Sequence, residues 1–236
     1  MILIVTTLII STLAGGLAFT VFPLLSKNIR LPLVFAGSYL LAITILHIIP
    51  ELFTISANPK QVGLYVLLGF FLQQVLEYFS SGVEHGHVHS DHALSAGGRF
   101  SMITALMIHS LLEGTLLTHD SPFHEEHESH SLLIGIVLHK MPAAFALMAT
   151  MSGLGKKAIA ILILFSVASP IGFLLSDYVL ASEESILIMF AIVGGSFLHI
   201  ATTIFVEASP NHRFGLNKIV ISILGALFAV LAEFMF

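Results

Sequence analysis

Two short runs of the sequence place ionisable side chains within apolar segments. In the first run, His109 and Glu113 are four positions apart, so a helix would stack an imidazole and a carboxylate on one face. In the second run, His139 and Lys140 lie about as far into the next apolar segment. First-row divalent metals accept imidazole and carboxylate ligands. The sequence therefore predicts a metal site formed by His109, Glu113 and His139. Ser110 and Lys140 would lie beside these ligands, either supporting them or replacing a second cation.

The composition shows where such a site would lie. The 236 residues include no cysteine, so thiolate ligands and disulfide bonds are excluded. Hydrophobic residues make up 56% of the chain and charged residues 10%, and the mean hydropathy is +0.99. A soluble domain normally carries about 25% charged residues. The chain is therefore predicted to be an integral membrane protein, with its ionisable groups inside the bilayer.

Charged residues, Pro and Gly separate the chain into apolar runs, and these predict an all-α, polytopic fold with eight transmembrane helices. We expect spans at residues 2–25, 31–53, 61–80, 100–119, 131–151, 156–176, 185–208 and 216–235. Each span must be a helix because backbone groups have no water partner in lipid. The uncharged residues 1–26 lack a basic N-terminal region and are interpreted as a retained helix rather than a signal peptide. Residues 1–236 would form one transmembrane domain.

The basic residues predict the orientation of the helices. Loops on one side contain Lys27, Arg30, Arg99, Lys156, Lys157, Arg213 and Lys218, whereas loops on the other contain Lys60 alone. Because cytoplasmic loops carry the excess of Lys and Arg, both termini should be extracytoplasmic. We expect the protein in the plasma (inner) membrane, with the lipid bilayer and divalent metal ions as partners. No pattern indicates nucleic acid, and a homodimer is left open.

Two predicted loops are rich in histidine. The cytoplasmic loop, residues 81–99, contains His85, His87, His89 and His92. Alternating histidines in such a segment bind zinc without a fixed geometry. The outer loop, residues 119–130, mixes histidines with acidic residues on the side from which metal would arrive. The alternative is that both are ordinary solvated polar loops.

Further ionisable residues lie near the ends of the spans. His47 and Glu51 share a helical face near the outer side and could form a vestibule for ions, or simply mark a helix exit at the interface. Glu77 and Glu207 lie towards the cytoplasmic ends, where they could serve metal release or interfacial anchoring. His199 looks isolated, and no role is assigned to it.

A short, weak similarity between two segments of the sequence suggests an inverted repeat. The segment 37–40 reads Gly-Ser-Tyr-Leu and the segment 195–198 reads Gly-Ser-Phe-Leu, in spans that run in opposite directions. Transporters often contain inverted repeats. Small residues at helix interfaces also produce such matches by chance.

Other interpretations of the central residues remain open. The His109–Glu113 pair could be a structural hydrogen bond, and Lys140 could bind an aldehyde as in rhodopsin-like proteins, although Trp is absent and histidine abundant. A zinc hydrolase could use the same ligands to activate water, but the chain has no His-Glu-x-x-His motif. A sensor could bind metal without moving it. An isolated ammonium within the bilayer is costly, so Lys140 is expected to pair with Glu113.

Taken together, these motifs resemble the ZIP family of zinc and iron transporters over nearly the whole chain. The family's helix-4 pattern, His-(Asn/Ser)-x-x-(Asp/Glu)-Gly, is matched by residues 109–114, and its helix-5 pattern begins at His139. The end of helix 2, His-x-x-Pro-Glu at 47–51, and Ser-Pro-Ile-Gly at 169–172 are also similar. The resemblance implies a transporter, not an enzyme. Its cargo would be Zn²⁺ first, with Fe²⁺, Mn²⁺, Co²⁺ and Cd²⁺ as alternatives.

The chain departs from the family pattern at Lys140 and Ala143, where many members carry acids that help to hold two metals. It is similar to the branch with lysine at this position, which implies a pore for a single metal ion. The resemblance also implies an elevator-like movement, in which spans 1, 4, 5 and 6 slide against the rest.

Overall fold

A computed structural model describes residues 1–23, 29–83, 95–117, 128–180, 182–208 and 215–235, and in these ranges the chain is helical, with no strand. The helices are α1 (Ile2–Val21), α2 (Arg30–Ile43), α3 (Ile49–Ile55), α4 (Pro59–Ser80), α5 (Ala96–Thr115), α6 (Glu128–Met151), α7 (Lys156–Val179), α8 (Glu183–Glu207) and α9 (Leu216–Met235). A π-helical turn at Thr44–Ile48 joins α2 to α3, and a 3₁₀ turn at Ser152–Leu154 follows α6.

The all-α prediction is confirmed, and so are long apolar helices. Within the described ranges, seven helical segments are long and apolar enough to cross a membrane, the segment from α2 through α3 counting as one. The remaining long helix, α5, has 20 residues. It is more polar because it carries Arg99 near its start and the predicted ligands His109 and Glu113 near its end.

The largest differences from the predicted boundaries, four residues each, are at the end of α1 and at both ends of α5. Helix α1 ends at Val21 instead of residue 25, because Phe22 precedes Pro23 and a residue before proline disfavours the helical conformation. Helix α5 begins at Ala96 instead of residue 100 and ends at Thr115 instead of residue 119. Its start is set by Ser95, whose side chain accepts a 3.1 Å hydrogen bond from the backbone N–H of Gly98.

The helices pack as two units, judged by their largest interfaces. In the first, which we call the site unit, α1 packs on α6 and α7, and α5 packs on α7. In the second, which we call the frame unit, α4 packs on α8, and α2 packs on α9 and α8. Smaller contacts of α4 with α5 and of α2 with α6 join the two units.

Glycine lets α5 and α7 approach closely next to the predicted ligands. A Cβ atom on Gly114 would lie 2.0 Å from the backbone oxygen of Ser169, and one on Gly172 would lie 2.0 Å from that of Leu111. No side chain fits at either position without moving the backbone opposite. The short separation brings Ser169 of α7 against the polar face of α5.

The outward faces of the bundle are apolar. Large aliphatic and aromatic side chains are exposed along α1, α4, α7 and α9, among them Ile10, Leu67, Phe71, Leu164, Leu175, Ile223 and Leu227. Buried polar residues, in contrast, lie in the interior of the bundle. Apolar side chains thus face outwards and polar side chains inwards, a distribution that lipid favours and water disfavours.

Candidate metal centre

The three predicted ligands meet in the interior of the site unit. His109 and Glu113 come from α5 and His139 from α6, and one potential ligand atom of each lies within 4.8 Å of the others. All three residues are buried, with at most 4% of their surface exposed. The two imidazole rings are perpendicular, with centroids 5.8 Å apart. The sequence-predicted cluster is therefore present as a geometric unit.

Two uninterrupted helices create this arrangement. Because α5 is regular through Thr115, residues four apart project from the same face, as the spacing of His109 and Glu113 predicted. Helix α6 continues through Pro142, which lacks a backbone donor and so leaves the carbonyl of Leu138 without its usual helical bond. A Cβ atom on Gly15 of α1 would lie 2.5 Å from the Met141 backbone oxygen, so α1 packs tightly at this turn.

Lys140 is enclosed beside the cluster, and its pairing with Glu113 is confirmed. Its Nζ donates to Ser110 Oγ at 2.8 Å and to Glu113 Oε2 at 3.1 Å. A third bond, to Ser169 Oγ at 2.7 Å, completes the three donors of an ammonium group. The Phe165 ring also lies 4.6 Å from Nζ. The sequence analysis named Ser169 only within the Ser-Pro-Ile-Gly pattern and did not predict its contact with Lys140.

The two oxygens of Glu113 differ. Oε2 receives hydrogen bonds from Lys140 and from Ser169, the latter at 3.3 Å, while Ser169 is also placed 2.8 Å from the Ser110 backbone oxygen. Oε1 is buried, and no group in the described part of the chain donates a hydrogen bond to it. A buried carboxylate oxygen requires a donor or a cation. Glu113 can therefore hold Lys140 with one oxygen and a metal ion with the other.

Gln73 of α4 orients one of the imidazoles from the other unit. The side chain is fully buried, and its Oε1 lies 3.1 Å from His109 Nδ1. With the amide oxygen facing the ring, Nδ1 donates and Nε2 keeps the lone pair that binds metal. The sequence analysis missed Gln73. The available signal was an uncharged polar residue at the centre of an apolar span.

A second polar cluster lies at the end of the bundle where α3 and α9 end, which we call the terminal end. His47 is in the π-helical turn, with Nδ1 at 2.8 Å from Glu233 Oε1 and Nε2 at 3.5 Å from Glu51 Oε2. Glu233 Oε2 also accepts a 3.0 Å bond from Ser131. The predicted pair His47 and Glu51 is thus together. Glu233 was missed, although a carboxylate near the end of an apolar helix was a usable signal.

A third polar cluster lies at the opposite end of the bundle. His199 Nε2 contacts Glu77 Oε2, and Thr203 Oγ1 lies 3.4 Å from the same nitrogen. Glu207 lines the adjoining cleft, whose volume is about 560 Å³. The prediction that His199 is isolated was wrong, because α4 packs along α8 and brings Glu77 to it.

Both histidine-rich loops fall largely outside the described residues. His85, His87, His89 and His92 lie in the undescribed stretch 84–94, and residues 118–127 of the predicted outer loop are likewise undescribed. The last residues of that predicted loop belong instead to the first turn of α6, which starts at Glu128.

No protein-family model matches this chain, and no curated protein matches it. What is established is an all-helical protein whose long apolar helices suit a membrane and surround a buried His–Glu–His cluster.

Proposed function

We propose that the protein carries divalent transition-metal ions, zinc first among them, across a membrane and into the cytoplasm. The observation that carries this proposal is the buried cluster of His109, Glu113 and His139 among membrane-length helices. Ionisable groups at such a depth are costly and usually mark an ion pathway. Fe²⁺, Mn²⁺, Co²⁺ and Cd²⁺ are the alternative cargo ions.

The ligand set suits an ion in transit better than a permanently held one. Three protein ligands leave a coordination position open for exchange, whereas structural zinc sites are closed with four. Conduction requires a site that binds firmly enough to load and weakly enough to release. The Lys140 ammonium, 3.1 Å from Glu113, offsets the carboxylate charge and opposes an arriving cation. Both features favour release.

The direction of transport rests on the distribution of basic residues. Arg30, Arg99, Lys156, Lys157 and Lys218 all lie in first turns of helices at the opposite end of the bundle, whereas Lys60 lies at the terminal end. By the positive-inside rule, the terminal end faces outwards in the plasma (inner) membrane. Metal would then load near His47 and Glu51, pass the central cluster, and leave near His199.

The proposal includes the resemblance to the ZIP family and the elevator-like movement that it implies. The site unit consists of α1, α5, α6 and α7, which are the predicted spans 1, 4, 5 and 6. Both imidazoles and the carboxylate belong to this unit, so it could carry the ion as one body along the frame unit. The inverted repeat is part of the same proposal. It is supported by the pairing of α2 with α9 and of α4 with α8.

A zinc hydrolase is the rival from another class, and the surroundings of Glu113 speak against it. In a hydrolase, a carboxylate outside the ligand set would take the proton from metal-bound water. Within the described residues, Glu113 is the one carboxylate in the cluster, and it is already bound to Lys140. No observation favours the sensor over the transporter, so transport itself has to be measured.

Zinc uptake into liposomes containing the purified protein tests the proposal. The variant His109→Ala/His139→Ala should lose uptake while remaining folded, because the Glu113–Lys140 pair is left intact. His130→Ala is the matched control, since this histidine is also on α6 but is exposed. Near wild-type uptake by the double variant would overturn the site assignment. Protease activity of the purified protein, without zinc uptake, would favour the hydrolase.

A further inference from the structure

We propose that the two polar clusters of the frame unit are matched binding sites for a divalent cation, one on each side of the central cluster. The terminal-end site consists of His47 and Glu233, and the opposite-end site of His199 and Glu77. Their role as stations on a transport path rests on the proposed function, but their capacity to bind a cation does not.

The sequences of α4 and α9 share a glycine and a glutamate at the same spacing. Residues 67–77 read Leu-Leu-Gly-Phe-Phe-Leu-Gln-Gln-Val-Leu-Glu, and residues 223–233 read Ile-Leu-Gly-Ala-Leu-Phe-Ala-Val-Leu-Ala-Glu. In both helices a glycine is followed eight residues later by the glutamate of a cluster, a distance of about 12 Å along a helix. Each glutamate lies in the last turn of its helix.

The two glycines make equivalent contacts. A Cβ atom on Gly69 would lie 1.9 Å from the Ile192 backbone oxygen of α8, and one on Gly225 would lie 2.4 Å from the Phe35 backbone oxygen of α2. Each glutamate-bearing helix therefore crosses its partner at a glycine. About two turns further on, its carboxylate reaches a histidine: His199 of the partner helix α8, or His47 in the π-helical turn that continues the partner helix α2. The two clusters are thus built in the same way at opposite ends of the bundle.

The exposure of the paired groups suits a passing cation. The imidazoles are nearly buried, with 3% of the side chain exposed for His47 and 7% for His199. Their carboxylate partners are more accessible, at 14% for Glu233 and 23% for Glu77. A fixed imidazole beside a carboxylate that solvent can reach provides two ligands and leaves the remaining positions to water. Such a site binds a divalent cation weakly and releases it readily.

Further oxygen atoms lie beside each cluster. At the terminal end, Glu51 Oε2 lies 3.5 Å from Nε2 of His47, the ring nitrogen opposite the one that contacts Glu233. At the opposite end, Thr203 and Glu207 line the cleft beside His199. The competing interpretation is that the pairs are only structural links that hold α9 to α2 and α4 to α8.

Cobalt binding to the full-length protein in detergent tests the inference, with Co²⁺ absorption as the readout. The background variant removes the central imidazoles, His109→Ala/His139→Ala, and keeps the Glu113–Lys140 pair so that no buried charge is left alone. The histidines outside the three clusters are changed to Ser in the same background: His85, His87, His89, His92, His119, His124, His127, His130 and His212. We expect this variant to bind two cobalt ions per chain weakly.

Glu233→Gln and Glu77→Gln should each remove one bound cobalt, and the double variant should remove both. Glutamine can still hydrogen-bond the histidine, so folding should be preserved, and Glu184→Gln on an exposed turn of α8 is the control. Absence of cobalt binding in the background, or binding unchanged by both substitutions, would overturn the inference. A lower melting temperature without loss of cobalt would show purely structural pairs and would also overturn it. Zinc uptake by the central-site variant is a separate assay, so failure of the proposed function is distinguishable.

Discussion

The paired ionisable groups of the site unit are more deeply buried than those of the frame unit. In the site unit, Glu113 and Lys140 are each 1% exposed and form a pair, and Lys140 also donates to the hydroxyls of Ser110 and Ser169. In the frame unit, the carboxylates that pair with His47 and His199 remain partly accessible. The comparison shows that depth decides the chemistry. A fully enclosed carboxylate needs a permanent counter-charge, whereas a partly exposed one near the end of the bundle can exchange its partner for water.

The enclosed pair should therefore be the more costly to break. Glu113→Ala leaves the Lys140 ammonium buried without its counter-charge, and we expect a loss of about 3–5 kcal/mol of stability. Glu233→Ala removes a partly exposed partner of the buried His47 ring and should cost less, about 1–3 kcal/mol. Thermal unfolding of both variants in the same detergent checks this difference. Adding Lys140→Met to Glu113→Ala should restore much of the stability but not zinc uptake. Equal destabilisation by the two single variants would contradict the distinction.

Lys140 should control how tightly the central cluster holds metal. Lys140→Met removes a positive charge next to Glu113, so zinc affinity should rise by about tenfold or more, and release should slow. Lys140→Glu/Ala143→Glu should raise the number of bound zinc ions from one to two, because it supplies carboxylates in place of the ammonium. Calorimetry on the purified variants gives both quantities. Unchanged affinity in Lys140→Met, together with a single bound zinc in the double variant, would leave Lys140 a packing role only.

Gln73 links the two units and should affect affinity without affecting the ligand count. Gln73→Ala removes the acceptor that orients His109, and loss of such a supporting partner weakens metal binding about 10–100-fold. Gln73→Glu should restore binding, because a carboxylate also accepts from Nδ1. Gln61→Ala, at an exposed position near the start of the same helix, is the control. If Gln73→Ala lowered the melting temperature while zinc affinity stayed constant, Gln73 would be a structural residue.

The smallest effect is expected from the histidine-rich stretch of residues 81–99. Changing His85, His87, His89 and His92 to Ser should reduce the zinc bound by the detergent-solubilised protein but leave substantial uptake, since a loop has no bilayer to cross. Binding titration and liposome uptake on one preparation separate the two quantities. Complete loss of uptake in a well-folded variant would instead place this loop on the obligatory path.

The sequence predicted what depends on local periodicity. Spacing along α5 sufficed to place His109 and Glu113 on one face, and the cost of a buried ammonium sufficed to pair Lys140 with Glu113. The sequence did not predict the end of α1 at Val21 or the start of α5 at Ala96. Each of these boundaries depends on one residue, Pro23 after α1 and the capping residue Ser95 before α5.

What the sequence did not show depends on contacts between distant helices. Gln73, Ser169 and Glu233 act through partners 36, 29 and 186 residues away in the chain. The π-helical turn that carries His47 adds one residue to a helical turn and so shifts the side-chain register. No periodic pattern encodes either feature.

Isotopic counterflow tests the central claim most directly, because it detects translocation rather than binding. Liposomes containing the protein are loaded with unlabelled zinc and diluted into a trace of labelled zinc. The wild-type protein and the His130→Ala control should both accumulate label transiently, through a site that alternates between the two sides. His109→Ala/His139→Ala should accumulate no more than empty liposomes. Counterflow at the wild-type rate in that variant, or none in the folded wild-type protein, would contradict the account.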